Sequence, residues 1–301
     1  MQNELIAITG LTKRYQGFAL SDFSLSVEPG SIVGFVGANG AGKTTTIKCL
    51  LGTVFPDQGS IRIFGQETSP CSPACIDRGT RAALMQDVGY VPDTCAFPDD
   101  CTVDGVGRIG AGLFARWNGV RYASLCKGFD LEGGKKVKEL SRGMGMKLSL
   151  AFALAHEPRL LVLDEATAGL DPLARDEVLG VIREFVSDDD RGVLISSHIT
   201  SDLEKAADRI VCIDAGQLVF DLAVDEITDL AGVAHCRAAD LEALAMSRAF
   251  DPGSLRMRRD AYATQVLVPN RFEFAEAFPE IAVDRVSIDD YLSFVLKGEQ
   301  L

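Results

Sequence analysis

The run Gly37-Ala38-Asn39-Gly40-Ala41-Gly42-Lys43-Thr44 limits what this chain can become more than any other stretch. It fits G-x4-G-K-[ST] and follows Ser31 to Val36 (SIVGFV), whose β-branched and aromatic residues read as a buried strand. A helix is expected to open at Thr45, Thr46 and Ile47. Glycines at these positions let the backbone wrap closely, so that successive N–H groups and the helix N-terminus point at phosphate oxygens. Lys43 adds a positive charge at the β/γ end, and the Thr44 hydroxyl suits Mg2+, which takes oxygen ligands. A mere Gly-rich turn would not need Lys-Thr in register after a strand.

A second element, Leu160-Leu161-Val162-Leu163-Asp164-Glu165, delivers two carboxylates to the C-terminal end of an apolar strand, the edge at which parallel sheets bind ligands. Asp164 suits a magnesium shell. Glu165 is placed to orient or deprotonate an attacking water. In isolation an Asp-Glu pair reads as a solvated helix cap, but four apolar residues precede this one and a phosphate cradle lies upstream. Further strands are expected at Val193 to Ile195 and Ile210 to Ile213. Between the carboxylates and these strands, Val178, Val181, Ile182 and Phe185 stand at helical spacing, with Asp188 to Asp190 closing that helix. Short apolar strands alternating with helices specify an α/β fold with a parallel sheet. The stretch Thr94 to Lys138 is Gly-rich and weakly periodic and reads as a small helical insertion. After Phe220 the pattern changes. An alternating run at Thr264 to Val268 and a helix with Ile288, Leu292, Val295 and Leu296 on one face suggest a small α+β appendage.

Composition narrows the partners. Thirty Lys+Arg against 43 Asp+Glu give a net charge of -13 over 301 residues, which disfavours a sequence-independent grip on nucleic acid or an anionic membrane. No apolar run approaches the roughly 18 residues that span a bilayer, and the start MQNELIAITG has no secretory pattern, so the expected compartment is the cytosol. Eight cysteines in a reducing compartment should stay thiols. Cys71, Cys75, Cys95 and Cys101 invite a zinc reading, but C-x3-C and C-x5-C spacings in a Pro/Gly-broken segment argue against it. His235 and Cys236 are adjacent yet fall short of four ligands.

Between cradle and carboxylates stands Leu140-Ser141-Arg142-Gly143-Met144. With Tyr15 upstream, Ala168-Gly169-Leu170-Asp171 after the carboxylates and Ser196-Ser197-His198 at a later strand end, the order and spacing resemble the ABC-transporter ATPase family. Its signature is usually written LSGGQ. The resemblance covers about residues 3 to 222, and SSHITSDLEKAADRI together with the terminal SIDDYLSFVLKGE is similar to an ABC-2 exporter subgroup.

The resemblance implies a P-loop NTPase core of ABC type over residues 1–222, with a helical signature subdomain at about 94–158 and a C-terminal extension at 223–301. It implies ATP with Mg2+, bound by Tyr15 stacking on adenine and by Gly37, Asn39, Gly40, Ala41, Gly42, Lys43, Thr44 and Thr45. Ser141 and Gly143, where a helix begins, would hold the γ-phosphate of the other subunit's ATP. Glu165 and His198 would be catalytic, His198 contacting the γ-phosphate and sensing its loss, Thr44, Asp164 and Asp93 would serve the metal, and Asp171 would belong to the dimer loop. The implied partners are a second ATP-binding subunit, identical or related, and a separate transmembrane permease contacted near Asp93 to Trp117. The implied location is the cytoplasmic face of the membrane. The implied function is to power export by ATP hydrolysis; the alternative is a soluble ABC ATPase acting on a macromolecule.

Three residues depart from the family pattern. Asp93 stands where Gln is usual and can accept but not donate hydrogen bonds when ionised. Arg142 and Met144 replace a Gly and the Gln of the signature, and Arg142 is expected to add charge at the interface. Ala166 replaces a common Pro, a change expected to loosen the turn without removing a functional group.

Overall fold

The computed structural model describes residues 4–68, 78–246, 250, 255–259 and 264–301. The chain divides into two compact units, Met1–Asp221 and Leu222–Leu301.

In the first unit the chain runs β1 (Ile6–Tyr15), β2 (Phe18–Val27), β3 (Ile32–Val36), α1 (Lys43–Leu50), β4 (Gln58–Ile63), β5 (Gln66–Glu67), α2 (Arg78–Met85) and β6 (Val88–Val91). Three helices follow, α3 (Val103–Leu113), α4 (Gly119–Gly128) and α5 (Arg142–Ala155). The unit then returns through β7 (Leu160–Asp164), α6 (Pro172–Val186), β8 (Gly192–Ser196), α7 (Thr200–Ala206), β9 (Arg209–Asp214) and β10 (Gln217–Ala223).

The sheet that carries the chemistry has the order β10-β9-β3-β8-β7-β6, with β9, β3, β8, β7 and β6 parallel to one another. Strands β3, β7 and β8 are buried along their whole length, as their unbroken apolar runs require in a sheet covered on both faces. The cradle after β3, the carboxylates after β7 and His198 after β8 therefore meet at one edge.

A second sheet, β2-β1-β4-β5, is antiparallel and absent from the sequence reading. The reason lies in β1, whose pairing with β2 shifts register between Ile8 and Leu11 and again before Lys13, so strict alternation fails. The two sheets share one core that includes Phe23 and Phe35, whose rings lie 5.5 Å apart.

Helix α3 explains the Gly-rich stretch. Thr102 caps it, accepting from the Gly105 N–H at 3.0 Å. A Cβ on Gly110 would lie 2.2 Å from the Trp117 ring, so the glycine there is a packing surface and not a breaker.

The second unit is α+β: β11 (Gly232–Cys236), α8 (Ala238–Met246), β12 (Arg256–Arg259), β13 (Thr264–Val268), α9 (Arg271–Ala277), β14 (Val283–Arg285), α10 (Ile288–Lys297) and β15 (Glu299–Gln300). Its antiparallel sheet has the order β14-β11-β13-β12-β15. Period-2 alternation makes two cores: Ala234, Cys236, Val266 and Val268 face one, Val233 and Leu267 the other. In α10 the buried residues are Ile288 and Phe294, with Tyr291 and Val295 packed beside Phe294; this corrects the face expected through Leu292 and Leu296 by about one turn position.

Candidate active site

The cradle begins where β3 ends. A Cβ on Gly37 would stand 2.3 Å from the Ile213 carbonyl oxygen, so only glycine lets the loop leave the sheet here. Gly42 precedes α1 with φ 123° and offers no side-chain cap, which leaves the first-turn N–H groups of the helix aimed outward for an anion. Lys43 is buried; its Nζ donates to the carbonyls of Gly37 at 2.6 Å and Ala38 at 3.3 Å and stands 3.6 Å from Glu165 Oε1.

Asp164 ends β7, 3% exposed, and accepts a 2.6 Å hydrogen bond from Ser196 Oγ at Oδ1. Burial raises its pKa above the ordinary carboxylate value; the Ser196 and Thr44 hydroxyls pull it back, and Asp93 and Glu165 add to the rise. The Tyr90 phenol is pushed up to about 12, first by burial and then by Asp164 and Asp93. The site thus concentrates negative charge that a cation would relieve. The donors that meet here, the Thr44 hydroxyl and the Asp164 and Asp93 carboxylates, are hard oxygens of the kind Mg2+ takes.

Glu165 adopts φ 53°, a left-handed conformation rare for a side chain other than glycine or asparagine and worth a cost of about 1–2 kcal/mol. Its N–H donates to the Ser196 backbone oxygen at 3.1 Å, and its carbonyl accepts from Ala168 N–H at 3.0 Å. These bonds span the turn at Ala166, which is buried. The conformation turns the carboxylate inward: Oε1 faces Lys43, while Oε2 accepts from the His198 N–H at 3.3 Å and contacts His198 Nδ1 closely. Ser196, which links both carboxylate residues, carried no role in the sequence reading.

Together these groups line a cavity of about 750 Å³. Tyr15, Asn39, Gly40, Lys43, Thr44, Thr45, Gly42, Asp93, Glu165 and His198 are in its wall. Gly37, Ala41 and Asp164 lie in the loop and strand end that support it and do not line it. Phe18, Ala168 and Arg142 also line it and were not anticipated there.

Ser141, Gly143 and Asp171 are not brought to this cavity. Ser141 caps α5, its Oγ accepting from Met144 N–H at 3.2 Å, and lines a separate hollow of about 270 Å³ with Cys95. Asp171 caps α6, its Oδ1 accepting from Leu173 N–H at 3.1 Å and Ala174 N–H at 3.0 Å.

A family model described as ABC transporter matches residues 20–168. The bacitracin transport ATP-binding protein BcrA of Bacillus licheniformis is 33% identical over 226 residues, covering 74% of this chain and 71% of that protein. The chain belongs to the ABC transporter family. Among solved structures, an ATP-binding subunit of an ABC transporter aligns with TM-score 0.66 at 27% identity, over 74% of this chain and 91% of that one. A dimeric ATP-binding cassette bound to ADP and Pi shares the fold with TM-score 0.65 at 19% identity, over 73% of this chain and 98% of that one.

This ABC transporter chain is an ATP-binding and ATP-hydrolysing subunit. Among the described residues no helix is long and apolar enough to cross a membrane. Also among them, no group of three or more His, Cys, Asp or Glu is arranged to hold a metal. Cys71 and Cys75 of the zinc reading lie outside the described residues; Cys95 and Cys101 are free thiols. His235 stands 3.0 Å from Asp284, while Cys236 is buried on the other sheet face.

Proposed function

We propose that this chain works head to tail with a second ATP-binding subunit and drives export through a separate transmembrane permease, on the cytoplasmic face of the membrane. The observation that carries the reading is the joint placement of Lys43, Glu165 and His198 in one cavity whose own Ser141 and Gly143 stand outside it. A second copy brings its α5 N-terminus, with Ser141 and Gly143, to the open side. A helix N-terminus favours the γ-phosphate there.

In that assembly Tyr15, exposed and beside the cradle, stacks on adenine. The N–H groups of Asn39 to Thr45 and the Lys43 ammonium hold the phosphates. Thr44, Asp164 and Asp93 would hold Mg2+, which would neutralise charge on the phosphates. Glu165 takes the proton from the attacking water, and His198 keeps its carboxylate oriented towards that water. Asp171, as the cap of α6, positions the loop that faces the second subunit. Because no residue of the chain spans a bilayer in a described helix, the transported molecule is chosen by the permease.

A third hollow, of about 430 Å³ and lined largely by apolar side chains including Leu113, Phe114 and Phe152, fits an apolar coupling segment of that permease. The test is to tag the protein, extract host membranes in mild detergent with ATP present, and identify what co-purifies. A polytopic membrane protein at about equal stoichiometry supports the reading. Recovery from the soluble fraction alone, or with ribosomal or assembly proteins, replaces it with the soluble ATPase reading.

A further inference from the structure

Helices α6 and α7 each begin where a loop of the cavity ends. Glu165 and Ala168 line the cavity, and their loop runs through Asp171 into α6; His198 lines it too, and Ile199 leads into α7. The first turns of the two helices meet in an ion pair, with Arg175 Nε 3.6 Å from Asp202 Oδ2. Asp202 is 1% exposed, and neither of these two atoms has a hydrogen-bond partner among the described residues. Taking such charges out of water is costly, so a pair without hydrogen bonds between them contributes little net stability, and apolar side chains of similar volume would pack as well or better.

Each member of the pair is tied to its own loop. Arg175 Nη2 donates to the Leu170 carbonyl at 3.3 Å, and the Arg175 N–H to the Asp171 carbonyl at 3.0 Å. Asp202 N–H donates to the Ile199 carbonyl at 3.2 Å, and Ile199 N–H to Ser197 Oγ at 3.0 Å, bracketing His198. At the cavity the same two loops touch through Glu165 Oε2 and His198. They are thus joined twice, by Glu165 and His198 at the cavity and by Arg175 and Asp202 at the helix starts. The Lys205–Asp176 pair at 2.8 Å also links α6 to α7, but both its side chains are more than half exposed, where such pairs hold little.

We propose that Arg175 and Asp202 are positioning residues for ATP hydrolysis: their ion pair sets the spacing of the two loops and thereby keeps His198 on the Glu165 carboxylate. This rests on the reading of Glu165 as the base and His198 as the group that orients it. Neither Arg175 nor Asp202 lines the cavity, so the grip on nucleotide is left to Tyr15, Lys43 and their neighbours.

The test replaces the pair by Arg175→Met together with Asp202→Leu and compares melting temperature, kcat and KM for ATP with those of the wild-type full chain, magnesium present. The expected result is a melting temperature equal to or above that of wild type, kcat lower by about tenfold, and KM within about twofold. A pair with only a structural role gives the first result without the second. Adding the same replacement to His198→Ala should change the rate of a single turnover by less than about twofold, because the pair acts through His198. If the double replacement does not fold, kcat and KM of Asp202→Asn, which keeps the shape of the side chain and removes its charge, are read the same way. Wild-type kcat in the folded variants overturns the proposal, as does a KM that rises as far as kcat falls, or a loss in the His198→Ala background as large as in the wild-type one. Wild-type kcat in Glu165→Gln would instead remove the reading of Glu165 as base, an outcome separate from all of these.

Discussion

The nucleotide cavity and the aromatic cluster of α3, α4 and α5 belong to the same unit and treat polar groups in opposite ways. In the cluster, Phe114 and Trp117 pack at centroid distances of 5.8 and 5.3 Å from Phe152, and His156, 1% exposed, stacks on Phe114 at 3.8 Å with rings nearly parallel. Its Nδ1–H donates to the Gln86 carbonyl at 3.1 Å, and burial, which lowers its pKa to about 4, keeps the ring neutral at neutral pH. In the cavity, Gly40, Gly42 and Glu165 all hold left-handed backbone, a buried carboxylate has its pKa raised, and two further acids share one wall with Lys43 and Arg142. The cluster satisfies its one buried polar side chain within its own fold. The cavity keeps strain and charge that a triphosphate and a cation would relieve, and that difference separates an apolar packing surface from a chemical site.

The comparison is broken most severely at Asp164. Asp164→Asn should lower ATP turnover by about 100-fold, through loss of the metal-side carboxylate, while raising thermal stability at neutral pH. The sign follows from the raised folded pKa: the folded protein binds the extra proton, so an ionised Asp164 costs stability once pH rises above the ordinary carboxylate range. Steady-state turnover and melting curves read both effects, and a variant less stable than wild type would contradict the account of the cavity.

On the cluster side, Gly110→Val should drive a side chain into the Trp117 ring. The expected loss is about 2 kcal/mol, or roughly 5 °C in melting temperature, with ATP affinity per folded molecule unchanged. A folded variant with altered nucleotide affinity would show that the two regions are not independent.

His156 supplies a subtler test. Burial depresses its pKa from 6.5 to about 4, so the unfolded chain binds a proton that the folded one refuses between those values. Stability should therefore be full above about pH 6.5 and fall as pH drops towards 4. His156→Phe should flatten that slope in chemical denaturation at several pH values; a slope equal to wild type's would assign the acid sensitivity elsewhere.

The smallest effect belongs to Tyr15. Its ring is 45% exposed, and Tyr15→Ala should raise the KM for ATP about fivefold, near 1 kcal/mol of stacking, with kcat unchanged. A larger fall in kcat than in affinity would mean that the ring does more than hold adenine.

Cradle, carboxylates and signature were legible because each is a short contiguous run whose spacing alone carries the chemistry. Asn39, Lys43, Thr44, Glu165 and His198 needed only the knowledge that parallel strands end at one edge to be placed together. What escaped depends on pairs far apart in the chain. Arg142 reaches the cavity only because Gly169 has no side chain, and Ser196 matters only because β8 lies beside β7. The glycines of α3 left that stretch only weakly periodic, and one of them, Gly110, makes room for the Trp117 ring. The antiparallel sheet was hidden by the irregular register of β1, and Phe294 displaced the expected face of α10 because the sheet above it presents Val233 and Leu267.

The central claim is that Glu165 activates water within a pair of these subunits. The most direct measurement is ATP turnover and molecular mass of Glu165→Gln beside wild type, with and without ATP and magnesium. The account predicts turnover lower by at least about 100-fold, ATP still bound, and an ATP-dependent shift to a stable dimer. Turnover equal to that of wild type would contradict it.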